Sequence, residues 1–298
     1  MYIGLIRPYE VEFNPGDISD LEEAIRKRGH TPVRIYVDML ELHIGSKIEV
    51  RHAVGKSQPA EVGVDGALLR HLGIFRDFEQ FLHRVWAVAT LEEMGIYVMN
   101  PVIPWMVAGD KTAALLKLAK AGLPVPPTVV SENMFAGYRA VKEFGRAVVK
   151  QTRGAMGYGV FLVEDPDVAF HIFSMLVNIN KPIYVQKYVE KGRGDYRVVV
   201  VGGRAVGAEY RQSEGWKTNV AQGARPLAAR LTPELEELAV KAVSTLSLDY
   251  GGVDVAETRE GYLILEVNPT MSWQGFKAAT GINPAEYIVD HLLAKIKS

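Results

Sequence analysis

Short β-branched runs alternate with helical patterns from one end of the chain to the other, which predicts a mixed α/β or α+β fold rather than a helical bundle or a β-sandwich. A hydrophobic share of 48% over 298 residues is enough to fill two or three cores of ordinary size. Glycine stops and proline clusters punctuate the pattern where one element should give way to the next.

A strand is expected at Tyr2 to Ile6, a helix near Ile18 to Arg28 ended by Gly29, and a second strand near Val33 to Val37. Met39 to Glu61 is poorly periodic and stays unread; beyond it come a strand at Val64 to Leu69, a helix at Phe75 to Met94 and a strand at Ile96 to Met99. Asn100 to Pro104, with two prolines, reads as a boundary. Asp110 then caps a helix that stops at Gly122, and Pro124, Pro126 and Pro127 forbid its continuation. Ser131 opens a helix toward Gly145, strands at Ala147 to Gln151 and Val160 to Val163 flank a glycine-rich loop, and a helix near Asp167 to Leu176 leads to a strand at Ile183 to Val189. Strands at Tyr196 to Val201 and Arg204 to Tyr210 precede a basic passage that reads as disordered, then a helix from Pro233 to Leu246, a hairpin and a final helix. Asn283, Pro284 and Glu286 supply that last helix with an N-cap, a proline in its first turn and an early carboxylate.

Composition excludes several classes. There is no cysteine, so a disulfide framework, a thiolate zinc site and a cysteine nucleophile are all ruled out, which suits a cytoplasmic protein. Thirty-four Lys and Arg against thirty-five Asp and Glu leave a formal charge of -1, so no global field draws the chain to nucleic acid or an acidic membrane. The start MYIGLIRPYEVE has no signal-peptide pattern, and the most apolar passage, Ile96 to Ala108, is broken by Asn100, Pro101 and Pro104, so no membrane span is expected.

The segment GGVDVAETREGYLILEVNPT, residues 251–270, is the most informative. Two alternating runs joined by Arg259, Glu260 and Gly261 suit a three-residue hairpin loop with glycine at its left-handed position. Closed that way, Asp254 faces Glu266, and the period of two adds Asn268 to the same side. Opposed side chains have Cβ atoms about 4.5–5.5 Å apart. Two carboxylates so close need a cation between them, and acid, acid and amide oxygen are hard donors suited to Mg²⁺. The plainer reading is a polar face turned to water.

Residues 147–163, AVVKQTRGAMGYGVFLV, read as strand, loop, strand. Gly154, Gly157 and Gly159 let backbone amides approach an anion, and such a hairpin can lie over a triphosphate as a flap, although an ordinary flexible loop looks the same. No Walker motif or dinucleotide fingerprint is present. Lys150 at the end of the first strand and Lys111 after the Asp110 cap can reach phosphates or be simple surface charges. Gln186-Lys187-Tyr188-Val189 forms a strand exit whose backbone could read an adenine edge. Asp195 and Arg197 share one side of a strand, while Arg211, Trp216, Lys217 and Asn219 bring charge suited to a transferring phosphoryl group.

That order resembles the ATP-grasp superfamily, and within it the RimK-like α-L-glutamate ligases, over about residues 100–298 and more loosely before them. The match is most specific at Asp195-Tyr196-Arg197, at WKTNVAQG from Trp216 to Gly223, and from Val253-Asp254 to Glu266-Val267-Asn268. LEVNPTMSWQG, residues 265–275, looks most like relatives that add glutamate to a pterin coenzyme of methanogens; the lysine-biosynthesis carrier-protein ligases and the ribosomal-protein glutamate ligases are close behind. The resemblance implies a pre-ATP-grasp β-α-β domain over residues 1–100, a central lobe with the flap over 101–185 and a C-terminal lobe over 186–298, the two α+β lobes clasping ATP.

By the same resemblance, ATP is bound by Lys111, Lys150, the flap residues Gly154, Met156, Gly157, Tyr158 and Gly159, by Gln186, Lys187, Tyr188 and Val189 at adenine, and by Asp195 and Lys217, with Asp195 at the ribose. Arg211 and Asn219 act at the γ-phosphate; Asp254, Glu266 and Asn268 hold Mg²⁺, with Mn²⁺ an alternative. Arg197, Arg70 and Ser272 are candidates for substrate carboxylates. Two positions depart from the pattern: Ala155 stands where many relatives carry serine, and Lys187 where they carry glutamate. The implied reaction converts a carboxylate to an acyl phosphate at the expense of ATP and then to an amide, with L-glutamate as the amine, a small-molecule or protein carboxylate as acceptor and a homodimer or tetramer as the assembly. A small-molecule kinase and a non-catalytic ATP-binding protein are the rival readings.

Overall fold

The structure, a computed structural model, describes residues 1–9, 14–73, 77–152, 154 and 157–297. The chain opens with β1 (Tyr2–Arg7), α1 (Pro15–Lys27) and β2 (Thr31–Tyr36). Helix α1 starts earlier than its apolar spacing alone suggests, because Pro15 sits in the first turn, where a missing N–H costs nothing. Its inner face is Ile18, Leu21, Ala24 and Ile25. Strands β3 (Leu40–Ile44), β4 (Ile48–His52) and β5 (Ala60–Glu61) form a small antiparallel sheet in the stretch that sequence left unread. With β6 (Gly66–Leu69), α2 (Phe78–Glu93) and β7 (Tyr97–Met99) the first sheet is complete: four parallel strands in the order β2-β1-β6-β7.

The proline-rich boundary is in fact a helix start. Helix α3 (Val102–Gly109) follows Pro101 directly, Pro104 falls in its first turn, and the Glu92 carboxylate accepts from Val102 N at 2.6 Å. Asp110 caps α4 (Lys111–Lys120), accepting from Ala113 N at 2.9 Å. These two helices bury Ala108, Ala114 and Leu118 in the core of the C-terminal sheet rather than in that of the central one.

The central unit contains β8 (Thr128–Ser131), α5 (Met134–Phe144), β9 (Ala147–Lys150), β10 (Val160–Val163), α6 (Pro166–Asn178) and β11 (Ile183–Lys187), with antiparallel strand order β10-β9-β11-β8. Asn133 rather than Ser131 caps α5. Val141, Val149, Phe173, Ile183 and Val185 give this unit a core of its own.

The last sheet is formed by β12 (Gly194–Val201), β13 (Arg204–Gln212), β14 (Arg225–Ala229), β15 (Tyr250–Thr258) and β16 (Gly261–Asn268), in the order β14-β13-β12-β15-β16, all pairs antiparallel. Helix α7 (Pro233–Thr245) covers it, and α8 (Gln274–Thr280) and α9 (Pro284–Ile296) close the chain. Strand β14 lies within the passage that reads as disordered. Among the described residues no helix is long and apolar enough to cross a membrane.

The first and last sheets share one core. Ile3, Leu5, Leu21 and Ile25 pack with Val199, Tyr250, Trp273, Phe276 and Leu292. Asn100 fastens this junction: fully buried, its Nδ2 donates to Tyr250 O (2.9 Å) and Pro269 O (3.0 Å), and its Oδ1 accepts from Asp249 N (2.8 Å) and Tyr250 N (3.1 Å). Every hydrogen-bonding position of the amide is used, so truncation strands several buried backbone groups at once. Asn100→Ala is expected to lower stability by about 3 kcal/mol, read as a shift of the urea midpoint at unchanged slope.

Candidate active site

Four strands present a single charged row. Arg197 on β12 stands opposite Glu209 on β13 and Asp254 on β15, and Asp254 stands opposite Glu266 on β16. The expected Asp254–Glu266 pairing is present, but it arises by another route. Thr258 pairs with Gly261, so the turn is one residue shorter than expected, a register that would set Asp254 against Leu265. A bulge at Leu265 restores the one-residue difference and turns Glu266 toward Asp254.

Asp254 is gripped from two sides. Arg197 makes a bidentate contact, Nε to Oδ1 at 2.7 Å and Nη2 to Oδ2 at 2.9 Å, and Arg211 Nη2 reaches Oδ2 at 2.9 Å. Burial pushes the Asp254 carboxyl up, but the guanidinium groups of Arg197 and Arg211 outweigh it and hold the group down at about 2. Glu266 lies 3.3 Å from Lys111 Nζ, and the Nδ2 of Asn268 is buried without a hydrogen-bond partner. Among the described residues no cluster of three or more His, Cys, Asp or Glu could hold a metal. Two carboxylates and an amide oxygen are nonetheless the donor types that Mg²⁺ takes where phosphates and water complete its shell; the unpartnered Asn268 Nδ2 is itself a donor and suits a phosphate oxygen, not the ion.

A cleft of about 510 Å³ beside the row is ringed by cations. Lys111 Nζ donates to Gly154 O (3.1 Å), Lys150 Nζ to Gln186 Oε1 (2.8 Å) and Lys217 Nζ to Gly157 O (3.0 Å). Burial lowers the Lys150 ammonium to about 8; Glu266 works against that, and Lys111 and Lys191 add to it. Gly157 has φ +73°, and a Cβ there would lie 2.5 Å from Asn219 Oδ1, so the flap rests directly on the Asn219 amide.

The cleft is lined by most of the residues that sequence singled out: Lys111, Lys150, Gly154, Gly157, Tyr158, Gln186, Lys187, Tyr188, Val189, Asp195, Arg197, Arg211, Lys217, Asn219, Asp254, Glu266, Asn268 and Ser272. Gly159 stands beside Gln151 instead, and Met156 and Ala155 lie outside the described residues. At the strand exit the amides of Lys187 and Tyr188 already donate to Pro127 O and Arg146 O, each at 2.9 Å.

Two expectations change. Asp195 was placed at a ribose, yet its carboxylate is buried and fully engaged: Oδ1 accepts from Arg211 Nε (2.8 Å), and Oδ2 from Lys191 Nζ (2.8 Å) and Thr218 Oγ1. It positions Arg211 and Lys191 for the cleft. Arg70 was placed at a substrate carboxylate, but it does not line the main cleft. It donates to Tyr250 OH (3.0 Å) and Met271 O (3.0 Å), pairs with Asp17 and stacks on Trp273 at 4.5 Å, holding the junction between the first and last sheets. Sequence reading missed Lys191, Thr218 and Glu209. Lys191 stands four residues before Asp195, which was the one available signal. Burial raises the Glu209 carboxyl above its ordinary range, with Arg197 and Arg211 opposing.

Residues 108–292 match the RimK-like ATP-grasp domain family. The chain is 31% identical over 300 residues to the tetrahydromethanopterin:α-L-glutamate ligase of Methanosarcina acetivorans, covering 90% of this chain and 92% of that one. It is 33% identical over 204 residues to the ribosomal protein bS6–L-glutamate ligase of Escherichia coli, 67% and 68% of the two chains. Among solved structures, the RimK-domain ATP-grasp protein of Sphaerobacter thermophilus superposes with a TM-score of 0.72 at 24% identity, covering 97% and 99%. The ATP-grasp ligase PsnB, complexed with minimal precursor, Mg and ADP, superposes with a TM-score of 0.73 at 20% identity, covering 99% and 98%. Both show the shared fold.

A phosphate chain placed among these lysines must raise the Lys150 ammonium from about 8. Titration with MgATP near pH 8, in buffers of different ionisation enthalpy, is therefore expected to show net proton uptake. Affinity should fall as pH rises beyond that point, by up to about tenfold per unit. Lys150→Met should abolish the uptake.

Proposed function

The chain belongs to the RimK-like ATP-grasp family, and we propose that it is an ATP-dependent carboxylate–amine ligase that adds L-glutamate to a carboxylate acceptor through an acyl phosphate. One observation carries this reading: three lysines and a glycine-rich flap face the row Arg197–Asp254–Glu266, with Arg211 and Asn219 between them, in a single cleft. Such a cleft is built for a polyphosphate that loses its end group.

Lys111, Lys150 and Lys217 take the phosphate oxygens, and the flap at Gly154 and Gly157 lies over them. The purine is read at the strand exit, where Val189 is left to supply backbone contacts because the Lys187 and Tyr188 amides are already in use. Asp254, Glu266 and Asn268 would hold Mg²⁺, which when bound offsets the negative charge of the phosphates. The acceptor carboxylate attacks the γ-phosphorus and ADP departs; the amine then attacks the acyl carbon and phosphate leaves. Arg211, fixed by Asp195 and Asp254, needs no reorganisation as charge builds on the transferring group. Asn219 stands beside it under the flap.

The 90% coverage by the tetrahydromethanopterin ligase makes a pterin coenzyme the first acceptor to try. Incubation with MgATP, L-glutamate and a panel of carboxylate acceptors, read by mass spectrometry, is expected to yield a glutamyl increment. A phosphoryl increment alone would mean a kinase, and no MgATP binding would mean a non-catalytic relative.

Two substitutions in the row should differ in kind. Glu266→Gln is expected to abolish glutamyl transfer at unchanged melting temperature, because among the described residues the partly exposed Glu266 has one ion pair, a long one to Lys111. Asp254→Asn should abolish transfer and also destabilise by about 3 kcal/mol, because Arg197 loses its charged partner and the buried Arg211 keeps only Asp195. Denaturation curves of the two variants check the contrast.

A further inference from the structure

The charged row has one member with a buried oxygen that no described residue satisfies. Glu209 is 2% exposed and lines the cleft, and its Oε2 is buried without a hydrogen-bond partner. Arg197, its cross-strand neighbour, commits Nε and Nη2 to Asp254, and Arg211 commits Nε and Nη2 to Asp195 and Asp254. A buried carboxylate oxygen left without a donor is costly, so its retention in the wall of a binding cleft points to a donor that arrives with a ligand.

The space in front of this carboxylate is kept open. Gly275, at the start of α8, also lines the cleft, and a Cβ at that position would stand 3.6 Å from Glu209 Oε2 and 3.5 Å from Pro226. The absence of a side chain leaves room for a small donor group at hydrogen-bond distance. That donor is not the divalent ion, whose seat is at the far end of the row with Arg197 lying between. A group with a single positive charge and several N–H donors suits a lone carboxylate beside guanidinium groups.

We propose that Glu209 is the binding site for the ammonium group of the incoming amino acid, seated in the gap left by Gly275. The assignment rests on the amino-acid ligase reading above and names the residue that selects an amine. Arg197 and Arg211 flank the seat, so an α-amino acid meets an anion for its ammonium and cations for its carboxylates.

The test is calorimetry on the whole protein saturated with Mg²⁺ and the β,γ-imido analogue of ATP, titrated with L-glutamate and with glutarate, the same dicarboxylate without the ammonium. Wild type should prefer L-glutamate. Glu209→Gln should weaken L-glutamate by about ten- to a hundredfold, the loss of a charge-assisted contact, while glutarate and nucleotide bind as before. Gly275→Ala, whose methyl makes only ordinary contacts with the protein, should give the same selective loss with Glu209 intact. Equal loss of both ligands in Glu209→Gln, undiminished L-glutamate binding in either variant, or a wild type that binds both ligands alike would each overturn the assignment. A wild type that binds nucleotide but no L-glutamate overturns the glutamate reading itself, and the assignment with it. Loss confined to nucleotide binding would make Glu209 a structural counter-charge.

Discussion

The site depends on the need to neutralise charge that has been taken out of water. Asp195 and Asp254 are buried carboxylates on neighbouring strands, and charge taken out of water needs paired, hydrogen-bonded partners. Arg211 bridges the two, and Arg197 adds a bidentate grip on Asp254. Because the β-ladder fixes all four residues in register, the guanidinium groups are held in place before any ligand arrives. A flexible surface arginine would lose entropy on each binding event; these have been ordered by folding.

Lys150, on the other side of the cleft, follows the reverse logic. Lys111 and Lys191 stand near it with carboxylate partners of their own, Glu266 and Asp195, whereas Lys150 has no carboxylate at ion-pair distance among the described residues, and burial leaves it short of its ordinary affinity for a proton. The shortfall at Lys150 faces the cleft. The ion pair of Lys111 with Glu266 is partly exposed and long, the kind of contact that a phosphate chain can replace at small cost.

The charged hairpin was legible in the sequence because period-two alternation and a glycine turn are local signals, and Asp254, Glu266 and Asn268 were found from them. The register came out right through two differences that cancel, a shorter turn and a bulge at Leu265, neither visible in composition. Some elements were legible and passed over: Leu40, Leu42 and Ile44 alternate toward Ile48 and Val50 around Gly45-Ser46-Lys47, an ordinary hairpin whose outward face of Glu41, His43, Glu49 and Arg51 hides the pattern. Others contradicted local rules for reasons of position. Pro226 lies in β14, an edge strand where a missing N–H is tolerated, and Pro101 and Pro104 start a helix instead of preventing one.

What no sequence pattern supplies is whether a charged side chain is already satisfied. Arg70, Asp195 and Glu209 are equally plausible binding residues by type, yet the first two are saturated by Tyr250, Asp17 and Met271, and by Arg211, Lys191 and Thr218. Glu209 has the same burial, and its Oε2 has no partner among the described residues. Partners come from strands far apart in the chain, so this distinction is written in the pairing of β12 with β13 and β15 and nowhere shorter in range. The same long-range pairing fixes how the floor of the cleft is held. The first and last sheets are joined through one apolar core and fastened by Asn100 and Arg70, whereas the wall that carries Lys150 has a separate core and meets that floor through polar contacts such as Lys111–Gly154 and Lys217–Gly157. Apolar packing fixes where the acids stand, and hydrogen bonds that a ligand can exchange fix how closely the cations face them.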